Sequence, residues 1–150
     1  MAISFIITIN IFNLKKGDEI TPLNKLFKEA DVISLHCPLT NETRNMISEN
    51  ELSLMRNNAI LINTARGALV DSQALLEALV SKKIAGAAID VLPQEPPVDG
   101  NCLLDYQDNN LILTPHIAWA TSKARQNAID QLAKTSDLAG RWKSTWGMSA

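Results

Sequence analysis

Cysteine is scarce in this chain. Cys37 and Cys102 are the only two, they lack Cys-x-x-Cys spacing, and a lone pair supplies neither a disulfide framework nor a tetrahedral zinc site. Both read as reduced thiols of a cytoplasmic protein, and no metal is expected. Long basic runs are also missing: 14 Lys and Arg stand against 16 Asp and Glu, for a formal charge of -2, which argues against a nucleic-acid or anionic-membrane surface. The apolar start AISFIITINIF is too short to span a bilayer, and it has no basic leader region and no small-residue cleavage site before Leu14, Lys15 and Lys16. No internal repeat is visible. What is present is ordinary globular material, 46% hydrophobic and 20% charged over 150 residues, enough for one domain with a real core. The partner expected from this balance is a small molecule or another protein.

Local patterns predict strands alternating with helices. Residues 3 to 12 read as a strand, and Pro22 to Ala30 as a short helix with Leu23, Leu26 and Phe27 on one face. Val32 to Leu35 is a strand closed by His36, Cys37 and Pro38. Ser48 and Glu51 have the spacing of a capping box opening a helix through Met55. Ala59 to Ile62 is the next strand. Asp71 is an N-cap for a helix carrying Ala74, Leu75, Ala78 and Leu79, ending near Lys82 and Lys83. Ala85 to Val91 is a strand, and the three prolines of PQEPPVDGN force a rigid exposed loop. Leu111 to Leu113 is a short strand, Thr114 to Ala120 a loop, and Thr121 caps a helix to about Ala139, with a loose tail over 140–150. This order predicts an α/β fold, a partial Rossmann-like doubly wound parallel sheet of about four core strands plus an N-terminal strand.

Three of the apolar runs end in polar groups: Arg66 in ILINTARGALVD, Asp90 and Glu95 in AAIDVLPQEPP, and His116 in LILTPHIAWAT. Ligands of open α/β sheets bind outside the carboxyl ends of parallel strands, so these groups can converge. Together they suit interconversion of a 2-hydroxy acid and a 2-keto acid. Arg66 can pair a carboxylate bidentately, and His116 can give and take a proton near neutral pH with Glu95 as its carboxylate partner. Hydride transfer would need a nicotinamide, because no side chain carries hydride. Singly, each has a blander explanation: Arg66 as a surface arginine in the turn before Gly67, His116 as a satisfied loop histidine, Glu95 as a solvated charge among prolines. Asp90 could hold a ligand amide or simply cap its own turn. Cys37 has no partner that would make it a nucleophile and fits a small buried side chain.

No Gly-x-Ser-x-Gly elbow, His-Glu-x-x-His pair or phosphate-binding Walker loop is present, and no Gly-x-Gly-x-x-Gly follows a strand. The wording DVISLHCPLTNETRNMI, AILINTARGALVD, AAIDVLPQEPP and NLILTPHIAWAT nevertheless resembles the D-isomer-specific 2-hydroxyacid dehydrogenases, from about Thr21 to Ile129. Four long motifs in the right order make the match specific. The resemblance implies an oxidoreductase acting on CH–OH of a glycerate- or hydroxypyruvate-like acid with NAD or NADP. Arg66 would bind the substrate carboxylate, His116 would exchange the proton and Glu95 would pair with His116. It places Asp90 near the nicotinamide carboxamide. Around the cofactor it sets the loop with His36, Cys37, Pro38 and Thr43, the turn Thr64, Ala65 and Arg66, and the segment with His116 and Ala118. Formate dehydrogenases of the superfamily carry glutamine where Glu95 stands, which favours the hydroxyacid reaction. A homodimer is implied as well.

Departures from the family temper this expectation. The glycine-rich phosphate loop and the residue that chooses NAD over NADP are absent, and helix N-terminal amides at a pyrophosphate are hard to replace. The organisation expected is an atypical segment 1–20, the C-terminal half of an NAD-binding domain over 21–139, and the tail. The site side chains are expected to persist in a truncated chain with weakened or lost activity. Related corepressors make a non-catalytic interaction module the alternative, alongside an inactive gene fragment. Val32 to Leu35, lacking its usual neighbours, would be an exposed edge unless Ile3 to Phe12 covers it.

Overall fold

The computed structural model describes residues 6–9 and 22–145, with side chains described for 22–135. Five parallel strands form one sheet in chain order: β1 (Ile6–Ile9), β2 (Val32–Leu35), β3 (Ile60–Asn63), β4 (Gly86–Ile89) and β5 (Leu111–Leu113). Between them run α1 (Leu23–Glu29), α2 (Glu49–Leu54) and α3 (Ser72–Val80), and α4 (Ser122–Thr145) follows β5. The α/β parallel architecture is the one expected.

The sheet is laid down in register. Ile33 of β2 pairs with Leu61 of β3, which pairs with Ala87 of β4, which pairs with Leu111 of β5. Side chains alternate across a strand, so Ile33, Leu35, Leu61, Ala87 and Ile89 share one face. There they join Leu26 and Phe27 of α1, Leu52 of α2 and Leu75 and Leu79 of α3 in one buried cluster. Each of these Ile, Leu and Phe side chains contributes roughly 1.5–3 kcal/mol by leaving water. On the opposite face Ile60 and Ile112 remain exposed.

Helix ends follow their capping chemistry. Ser48 and Glu51 form the reciprocal capping box of α2, and Asp71 accepts from the amides of Gln73 and Ala74 at the start of α3. Ala124 N–H donates to Thr121 Oγ1 at 3.1 Å to open α4. That helix continues to Thr145, beyond the end expected at Ala139. No proline interrupts it, and Lys, Arg and Trp are tolerated in a helix. Trp146 lies outside the described residues.

β1 pairs in parallel with β2, Ile6 opposite Val32 and Ile9 opposite Leu35, so of the two outcomes the sequence left open it is the covered edge of β2 that forms. The remainder of the strand expected over 3–12 lies outside the described residues. The chain divides into two compact units, with the boundary between His116 and Ile117. Among the described residues no helix is long and apolar enough to cross a membrane.

Candidate active site

Adjacent strands place the expected groups at one end of the sheet. β3, β4 and β5 are consecutive neighbours, and strand spacing puts the exits of β3 and β5 about 10 Å apart. Arg66, Asp90 and His116 follow β3, β4 and β5 respectively.

His116 and Glu95 form the closest pair. Nδ1 of His116 lies 2.7 Å from Glu95 Oε2, and the other carboxylate oxygen, Oε1, accepts from the Leu92 amide at 2.8 Å. Both oxygens are therefore committed, and the carboxylate cannot swing away without losing one bond. Burial pushes the Glu95 carboxyl upward, but the Leu92 amide and His116 outweigh it, and the group sits below its ordinary value. Glu95 is ionised at neutral pH, so Nδ1 of His116 carries the proton of this bond.

The backbone holds His116 in a conformation no periodicity signals. Its φ is 56°, in the left-handed region, which costs a non-glycine residue roughly 1–3 kcal/mol. Its amide donates to the Asp90 carbonyl at 2.8 Å, and the Thr114 amide donates to the Ile89 carbonyl at 3.0 Å. These bonds continue the β4–β5 pairing past the strand ends and deliver the imidazole to Glu95.

Asp90 is 4% exposed, and Thr114 Oγ1 donates to its Oδ1 at 2.5 Å. Its carboxylate is thus fixed at the sheet edge by a residue that the sequence reading passed over.

Arg66 is exposed and sits at the mouth of a tight turn. One guanidinium nitrogen donates to the Ala65 carbonyl at 2.6 Å, one of the five donors that group has. Beneath it, Asn63 is fully buried and ties the turn Thr64 to Arg66 through two side-chain bonds. Gly67 allows the turn to approach the exit of β4: a Cβ there would lie 2.0 Å from the Leu92 carbonyl carbon.

The loop after β2 is separately braced. His36 is exposed, with Nε2 2.8 Å from Ser34 Oγ. Thr43 is buried, and its hydroxyl donates to the Pro38 carbonyl at 2.8 Å. Cys37 is 2% exposed with its sulfur on Met46, and burial pushes its thiol up. Its side chain belongs to the core, so only its backbone can face a ligand. Thr64 is exposed and Ala65 half-buried. Ala118 lies in the second unit, in a turn closed by the Ala120 amide on the Ile117 carbonyl at 2.8 Å.

A cavity of about 450 Å³ adjoins the His116–Glu95 pair, walled by Leu92, Pro97, Leu104 and Leu113. A second of about 470 Å³ opens at the other end of the strands, among Asn57, Lys82, Asp108 and Asn110. It has no histidine or arginine and does not suit the same chemistry. Among the described residues no group of three His, Cys, Asp or Glu could hold a metal.

Asn63 and Thr114 are the site residues that sequence reasoning missed. Their signal is a single polar residue closing an apolar run, in ILIN and in LILT.

An open parallel sheet with Arg66, Asp90 and His116 following three neighbouring strands at its carboxyl end has the architecture of a nucleotide-binding domain. The chain belongs to the D-isomer specific 2-hydroxyacid dehydrogenase family, whose NAD binding domain matches residues 7–118. It is 51% identical over 121 residues to glycerate dehydrogenase of Methylorubrum extorquens, covering 81% of this chain and 38% of that protein. Glyoxylate reductase of Thermococcus litoralis is 48% identical over 118 residues, covering 79% and 35%. Among solved structures, D-lactate dehydrogenase from Aquifex aeolicus, complexed with NAD and lactic acid, superposes with a TM-score of 0.71 at 33% identity, covering 92% of this chain and 47% of that one. An acyclic imino acid reductase in complex with NADPH and D-Arg gives 0.72 at 36% identity, covering 90% and 43%. The chain spans just over a third of the length of the curated relatives it matches.

Proposed function

We propose that this chain carries the reacting end of an NAD- or NADP-dependent dehydrogenase interconverting a 2-hydroxy acid and a 2-keto acid, with glycerate and hydroxypyruvate as the closest substrate type. The observation that supports it most is the doubly anchored Glu95 carboxylate on Nδ1 of a backbone-constrained histidine. Residues 21–139 form the nucleotide-domain part in this reading.

The donor set suits a nicotinamide at the sheet edge. Asp90, fixed by Thr114, would accept from its carboxamide, and the backbone around His36 to Thr43 and Thr64 to Arg66 would line the rest. When bound, the nicotinamide supplies or accepts the hydride at the substrate carbon. Arg66 pairs the substrate carboxylate and fixes which face of the carbonyl is presented. In reduction, His116 Nε2 releases its proton to the carbonyl oxygen and the ring becomes neutral, keeping Nδ1–H on Glu95. In oxidation Nε2 takes the hydroxyl proton, and Glu95 favours the resulting imidazolium.

The relatives complexed with NAD and with NADPH support both cofactors as candidates. Because the sequence has no Gly-x-Gly-x-x-Gly, weak cofactor affinity is expected. A homodimer and a cytoplasmic location complete the proposal; Cys37 and Cys102 are unpaired thiols, which suits a reducing compartment.

The test is oxidation of NADH or NADPH with hydroxypyruvate or glyoxylate. Slow turnover is expected, falling about 10²-fold or more in His116→Ala, the usual size of a lost acid–base group. A rate indifferent to that substitution overturns the proposal.

A further inference from the structure

Asn63 closes β3, where it pairs with Leu35 of β2 and Ile89 of β4. It is 0% exposed, in a position where the parallel sheet calls for an apolar side chain. A buried amide is retained only when its hydrogen bonds are made. Nδ2 donates to the Arg66 carbonyl at 2.9 Å, and Oδ1 accepts from the Ala65 amide at 3.1 Å. The Arg66 carbonyl also accepts from the Leu69 amide at 3.2 Å, and the Asn63 carbonyl accepts from Asp90 N–H at 2.9 Å. One side chain therefore brackets the turn that carries Arg66, while the backbone of the same residue is bonded to Asp90, just after β4.

We infer that Asn63 is a positioning residue: it clamps the Thr64–Arg66 turn so that the Arg66 guanidinium stands at the sheet edge ready to receive a carboxylate. The substrate part of this inference rests on the function proposed above; the clamp itself does not. Without the side chain, the half-buried Ala65 amide loses its partner and the Arg66 carbonyl keeps only the Leu69 amide, and the turn has alternatives to the observed shape. Anchoring by a long exposed arginine depends on where its Cα is held, because every rotamer it adopts is counted from there.

Two measurements separate the clamp from the function. Backbone amide exchange by NMR, with no ligand, should show Ala65 exchanging roughly tenfold faster or more in Asn63→Ala, the scale of one buried hydrogen bond left unmade. The amides of Leu75 in α3 and Ala87 at the far end of β4, which donate to Asp71 and Asn110, should keep their protection. Oxamate, an unreactive 2-keto acid mimic, should bind the wild-type chain and lose affinity severalfold in Asn63→Ala although Arg66 is intact, with Arg66→Ala setting the floor.

A conservative variant gives a readout that generic destabilisation cannot mimic. In Asn63→Asp the ionised carboxyl keeps an acceptor for Ala65 but meets the Arg66 carbonyl with no proton to give. Once protonated it again offers an acceptor to the Ala65 amide and an O–H donor to the Arg66 carbonyl, the two bonds the Asn63 amide makes. Arg66 on the same turn, Asp90 at the β4 exit and His36 at the β2 exit set the midpoint. Ala65 protection in this variant should therefore rise on acidification while that of the wild type does not. Unchanged Ala65 exchange and oxamate affinity in Asn63→Ala overturn the inference, and so does an equal loss of protection at Leu75 and Ala87. Absence of oxamate binding to the wild-type chain overturns the proposed function instead, and leaves the clamp to be decided by amide exchange alone.

Discussion

At the scale of single residues, the geometry turns on small groups wedged between strand exits. Gly67 is the tightest. A methyl group there would meet the Leu92 carbonyl carbon at 2.0 Å and its oxygen and Pro93 N at 2.3 Å, all of them backbone atoms that cannot rotate away. Gly67→Ala is expected to destabilise the fold by about 1–3 kcal/mol, measured by urea unfolding, and to push the Arg66 turn away from the Leu92 segment. Stability unaltered within a few tenths would contradict the contact. Glu95 makes a different kind of prediction. Its carboxyl lies below the ordinary value of 4.5 in the folded chain, so its bonds to Leu92 and His116 stabilise the fold above that value. The contribution disappears as pH falls through the lower, folded value. Glu95→Gln should cost stability at neutral pH, and the deficit should shrink as the pH is taken below about 4. A constant deficit across that range would mean the carboxylate charge is not what holds His116.

At the scale of elements, local chemistry announced most of what formed. The ends of β2 and β5 fall where the apolar runs begin and end, and Ser48, Asp71 and Thr121 cap the helices they were expected to cap. Such signals are legible because a cap needs only neighbours two or three residues away. The candidate site was legible in part. Arg66, Asp90, Glu95 and His116 stand out as polar residues after apolar runs, but the φ of 56° at His116, the Asn63 clamp and the Gly67 approach depend on partners from neighbouring strands. Periodicity carries no information about such partners. The caps yield a direct test. Ser48→Ala and Asp71→Ala should each lower unfolding free energy by about 1 kcal/mol, by urea titration. For the first, Glu51 adds a pH signature. Burial opposes its ionisation, yet the Ser48 hydroxyl and backbone hold its carboxyl below the ordinary value. The capping box is therefore strongest above that value and fades as pH falls through the folded one. The cost of Ser48→Ala should be smaller at pH 3 than at pH 7, and an equal cost would remove Glu51 from the account.

At the scale of the whole sheet, the decisive question is how a run of parallel strands ends. A strand with one unpaired side presents donors and acceptors that another chain can join. β5 is only three residues long, Leu111–Leu113, which limits what it offers. β2 is longer and apolar, Val32–Leu35, and would be the more hazardous edge if left open. The parallel pairing of Ile6–Ile9 with β2 closes it, residue for residue. A segment expected to be atypical beside the family motifs thus has a physical task, to pair the ladder groups of β2. Removing residues 1–14 should expose the ladder groups of Val32 to Leu35 and drive self-association, seen as a mass by light scattering that rises with protein concentration. Replacing Ile33 on the buried face would test stability, whereas a backbone-directed change is the sharper control. Ser34→Pro, made in the shortened chain, removes one ladder amide and should reduce the association by disfavouring strand addition. If the shortened chain stays a monodisperse monomer, β1 is not what protects that edge.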